Sequence, residues 1–72
     1  MNHEQNNYYD PSTVKMMQAV LDEAWISLQP EQRARSNKTF LATIILDIAA
    51  AGERDPILVR TRAVTRFVAV GL

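Results

Sequence analysis

The sequence contains no cysteine, which excludes disulfide staples, thiolate nucleophiles and zinc sites built on sulfur. It has a single histidine, His3, in a polar N-terminal stretch, so neither a Ser-His nor a Cys-His arrangement can be built on an ordered scaffold. Glycine occurs only at positions 52 and 71, which leaves no phosphate cradle, and no H-E-x-x-H or Cys/His cluster is present. Charge of one sign is not in excess either: eight Lys and Arg balance eight Asp and Glu, so no global field draws the chain to nucleic acid or an anionic surface. The longest apolar run, residues 40–51, contains Asp47 and is well short of the ~20 residues needed to cross a bilayer. Residues Met1 to Asn7 hold no apolar run that would make a signal peptide. These absences predict a cytoplasmic protein that is not an enzyme, calls for no cofactor or metal, and has no membrane partner.

What is present is organised around Thr39 to Ala51, stopped by Gly52. Wound as a helix at about 100° per residue, Phe40, Leu41, Ile44, Ile45 and Ile48 spread over an arc of roughly 140°, and Leu46 widens it to ~240°. Thr43 and Asp47, one turn apart, keep a narrow polar strip. Asp47 either belongs to that strip or is a buried acid answering Arg62, which would fix register at an interface. A helix this oily must be covered from at least two sides.

The flanking segments supply helices with identifiable ends. Residues 1–9 read as a flexible polar tail. Asp10-Pro11 opens a first helix, with Asp at N-cap and Pro where its missing N–H is harmless. Val14, Met17, Leu21, Ala24, Trp25 and Leu28 then recur at helical spacing. Gln29-Pro30 ends it, and 30–35 can form one turn of its own. Ser36 or Asn37 caps the central helix, Gly52 closes it, and Asp55-Pro56 repeats the opening of the first helix. The last segment is rich in β-branched residues, but a lone strand would have no sheet to join, so a helix fraying before Gly71 is expected. The reading is an all-α, three-helix small domain over 10–72, with helices at about 11–28, 37–51 and 56–69.

Leu21-Asp22-Glu23-Ala24-Trp25, Leu28 to Ser36 and Ala50 to Pro56 together resemble short, uncharacterised alphaproteobacterial helical proteins. The resemblance spans roughly residues 20–64. It implies a bacterial cytosolic protein and lends no catalytic or binding residue.

Function is read from the same pattern. A chain of this size buries only about 60% of its unfolded surface, and with no disulfide or metal to help, association is the remaining common device. The expectation is therefore a self-associating protein–protein interaction module, a homodimer by default, whose central helix is shared between copies. Its interface would comprise Phe40, Leu41, Ile44, Ile45 and Ile48, with Trp25 and Phe67 at the margins; a different protein could take the same surface. Trp25 reads first as the largest core side chain and second as an interface residue. Asp22 or Glu23 could pair with Asp47 as catalytic carboxylates, but solvated helix faces explain them better. The rival is a helix-turn-helix-like DNA-binding regulator using Arg60, Arg62 and Arg66 on the last helix. Neutral net charge and the acidic residues of the turn rank it second.

Overall fold

The computed structural model describes residues 9–71, so most of the expected tail, residues 1–8 with His3, lies outside the described residues, as does Leu72. The described residues are all-α and form four helices: α1 (Pro11–Ser27), α2 (Pro30–Ala34), α3 (Lys38–Ala50) and α4 (Pro56–Gly71). This corrects the expected three-helix count. Pro30 stops α1 and is also acceptable at the first position of a new helix, so a second start follows within three residues. Gln32 secures that start by accepting the Gln29 backbone N–H on its side-chain oxygen at 2.8 Å.

Each long helix begins on a side-chain cap. Asp10 Oδ1 accepts from Thr13 N at 2.8 Å, Asn37 Oδ1 accepts from Phe40 N at 2.8 Å, and Asp55 Oδ1 accepts from Ile57 N at 2.9 Å. Asn37, not Ser36, is therefore the cap of α3. The Thr13 N–H bond also holds the Asp10 carboxyl below its ordinary pKa.

The helix ends are closed by a device repeated twice. Gly52, at φ +111°, lets its own N–H reach Ala49 O at 3.0 Å and the Glu53 N–H reach Ile48 O at 3.4 Å, a Schellman ending. Arg54 then turns back, donating to Ala49 O while its guanidinium lies 5.6 Å from the centroid of the Tyr9 ring. At the end of α1, Arg33 does the same work. Its Nη1 donates to Leu28 O at 2.9 Å and lies 3.4 Å from the carbonyls of Trp25 and Ile26. A cation at the negative end of α1 and of α3 thus satisfies carbonyls that the helix itself leaves open. Arg33→Ala should therefore lower stability by about 1 kcal/mol and Tm by roughly 4–8 °C, with Arg33→Lys rescuing little because an ammonium lacks the planar fork. Thermal melting followed by circular dichroism checks this; an unchanged Tm would show that water caps α1 equally well.

α1 and α3 run antiparallel. Lys38 at the start of α3 bonds Asp22 near the end of α1 at 2.8 Å, and the Tyr9 hydroxyl ahead of α1 donates to Leu46 O at 3.4 Å. α4 returns alongside α1 in the same direction, bringing Phe67 to an edge-on contact with Trp25 at 6.2 Å and a tilted one with Phe40 at 5.7 Å between ring centroids. The core draws on all three long helices: Met17, Val20 and Ala24, then Leu41, Ile44, Ile45 and Ile48, then Val59, Ala63 and Phe67. Ala24, Ala49 and Ala63, one per helix, are completely buried. Alanine at a contact lets helix axes approach towards the short end of the usual 8–10 Å range.

Candidate functional site

The residues expected at an interface lie elsewhere. Leu41, Ile44, Ile45, Ile48 and Phe67 are each at most 4% exposed within one copy of the chain, and Trp25 and Phe40 are half-buried against Phe67. The central helix thus needs no second copy to cover these positions. α1 lies on one side of its apolar arc and α4 on the other, and the core that encloses these positions draws on all three helices. Two flanking helices suffice where the sequence pattern suggested they would not.

What the flanking helices leave open is the far edge of that arc. Leu46, about 100° around α3 from Ile45, is 44% exposed, and Val14 of α1 facing it is 37% exposed. Between them runs a groove of about 180 Å³ lined by Val14, Met17, Gln18, Leu21, Ala42, Ile45 and Leu46. Gln18 is the one lining residue with a polar side chain. The groove is bounded at the Lys38 end of α3 by the Asp22–Lys38 ion pair and towards the N-terminus of α1 by the Tyr9–Leu46 hydrogen bond. Val14 and Leu21 fit the apolar spacing of α1 and were therefore expected inside. The signal that could have marked the groove was the excess width of the arc at Leu46.

The charged residues make no concentrated site. Arg60 pairs with Glu23 of α1 at 3.7 Å, and Arg62 pairs with Glu53 of the turn at 3.2 Å. Arg66 makes no ion pair among the described residues. Two residues apart on a helix means about 160° apart around it, so Arg60 and Arg62 point to different sides of α4. Arg62 and Arg66 share a shallow cleft with Asp47 and Glu53, so that rim carries as many acids as bases. Asp47 is exposed and not a buried partner of Arg62; it sits in the wet strip with Thr43, whose hydroxyl donates to Thr39 O at 3.1 Å. Asp22 and Glu23 are likewise exposed and held by Lys38 and Arg60.

Among the described residues, no group of three or more His, Asp or Glu side chains is placed to hold a metal ion, and no helix is long and apolar enough to cross a membrane. Every buried side-chain polar atom among them has a hydrogen-bond partner. No protein-family model, no curated protein and no solved structure matches the chain.

Proposed function

We propose that this protein is a small self-associating interaction module that uses the groove between α1 and α3. The observation that carries the reading is a concave surface walled by Val14, Leu21, Ala42 and Leu46, with its floor on the core residues Met17 and Ile45. Water against such a surface is displaced favourably by any apolar ridge that fits it, at ~25 cal/mol per Å² removed from solvent. Leu46 and Val14 are themselves exposed apolar side chains, so a second copy would meet apolar surface with apolar surface, as a two-fold interface requires. The modest size of the chain adds a reason for association to matter, since a partner that binds only the folded state raises stability. The segments Leu21 to Trp25, Leu28 to Ser36 and Ala50 to Pro56, which resemble short alphaproteobacterial proteins, support a bacterial cytosolic setting. In the fold the latter two act through Arg33 and Arg54 as helix closures, which makes their role structural.

Sedimentation equilibrium and thermal melting over a wide concentration range test the proposal. The expected result is a mass rising above the 8.1 kDa of one chain and a Tm that climbs with concentration. Leu46→Glu should keep the helical spectrum, because the side chain is 44% exposed, yet reduce association at least tenfold by placing a charge in the groove. A wild-type chain that stays at one-copy mass with a fixed Tm at millimolar concentration would remove the reading.

A further inference from the structure

We infer that Tyr9 is a strap on the outside of α3, clasped by Arg54, that opens while the bundle stays folded. Tyr9 precedes α1 in sequence, yet its side chain lies against α3. Its hydroxyl donates to Leu46 O at 3.4 Å, and it walls a recess of about 410 Å³ together with Leu46, Asp47 and Ala50. Ala42, Leu46 and Ala50 are four residues apart and form one stripe along α3. The groove meets that stripe at Ala42 and Leu46, and the recess takes it up at Leu46 and Ala50. Tyr9 therefore stands where the apolar edge of the groove would otherwise run on towards the end of α3.

The anchors on either side of the strap do not depend on it. Asp10, the next residue, is fixed by accepting from Thr13 N at 2.8 Å and Ser12 Oγ at 3.1 Å, so α1 keeps its start wherever the Tyr9 ring points. Arg54 is fixed by the end of α3, its Nη1 donating to Ala49 O and, at 3.2 Å, to Glu53 O. The guanidinium so held lies 5.6 Å from the Tyr9 ring centroid and attracts its face. The hydroxyl bond to Leu46 O is exposed, and water replaces it at little cost. Opening thus forfeits one surface hydrogen bond, one cation–ring contact and the packing of one half-buried ring. The core of Met17 to Phe67 is left whole, which is the condition for local opening below the global transition. Open, the strap bares more of Leu46 and Ala50 and lengthens the apolar edge of the groove. This is a property of one copy and does not rest on self-association.

Nuclear magnetic resonance on the full chain tests the strap. The closed Tyr9 ring should show Overhauser contacts to Leu46 and Ala50 and shift the Ala50 methyl signal by its ring current, with Tyr9→Ala as the open reference. On heating, the Ala50 signal should reach the open position at least ~10 °C below the midpoint of the Trp25 emission change, which reports the core. Arg54→Gln should lower the closed-to-open ratio about two- to fivefold at low temperature, the strength of one exposed cation–ring contact. Arg54→Lys, which keeps the cation, should lower it less. Trp25 emission shows in each case that the bundle is still folded. If the Ala50 signal and the Trp25 emission change together, Tyr9 belongs to the cooperative core and the strap is overturned. A wild-type Ala50 signal already at the Tyr9→Ala position overturns it too. An unchanged ratio in Arg54→Gln overturns Arg54 as the clasp.

Discussion

Ile45→Asp unfolds the isolated chain. Ile45 is 1% exposed, on the side of α3 that faces α1, and it forms the floor of the groove. Burying an ionised carboxylate there is prohibitive, and burying it protonated still leaves a polar group without a partner, so the loss exceeds about 4 kcal/mol. A single core in a chain of this length rarely supplies more than about 3–5 kcal/mol in total. Loss of the far-UV helical signal and collapse of amide chemical-shift dispersion are the expected readouts. Leu46→Glu, one residue along, is the control, since it should stay folded. The pair of variants decides between two pictures of α3. Were Ile45 an interface residue, Ile45→Asp would yield a folded monomer; as a core residue it yields no folded state at all. A well-dispersed Ile45→Asp monomer would therefore overturn the core described above.

The second large effect is at the other end of the bundle. Phe67 is 3% exposed and is the ring against which Trp25 and Phe40 both rest. Phe67→Ala removes the transfer free energy of a phenyl ring and leaves a hole that two half-buried aromatics cannot fill without losing their own contacts. The expected loss is about 3–5 kcal/mol, enough to leave the chain barely folded at 25 °C. Trp25 is the single tryptophan, so its emission reports the event, shifting to longer wavelength as the indole becomes hydrated. Val70→Ala on the same helix, at a side chain 62% exposed, should change stability by less than ~0.5 kcal/mol. Near-equal melting curves for the two variants would show that the aromatic end carries little of the stability.

These variants probe features that differ in how readily the sequence shows them. The helix starts at Asp10-Pro11 and Asp55-Pro56 and the positive-φ stop at Gly52 are local chemistry, and each is where the residues place it. α2 was half visible. Proline announces both the end of α1 and a permitted new start, and the Gln32 contact to Gln29 that secures the new start depends on a side-chain reach that periodicity does not encode. α4 was the conflict. Its β-branched residues favour strands, yet it runs helical from Pro56 to Gly71, because Val59, Ala63 and Phe67 recur every four residues and find a common core. The arginines were legible as cations but not as closures. That Arg33 and Arg54 fold back on the helices before them depends on the path of the turn, not on spacing along a helix.

The sequence by itself determined the helical class, the caps at Asp10, Gly52 and Asp55, and the breadth of the apolar surface on residues 40–48, because each follows from interactions within a turn or two of chain. Which part of that surface stays wet was decided only in three dimensions. Side chains of α1 and α4 enclose Leu41, Ile44, Ile45 and Ile48, and the margin at Leu46 opens onto a groove. How far one helix covers another depends on the distance between axes, which small side chains contributed by separate elements set jointly.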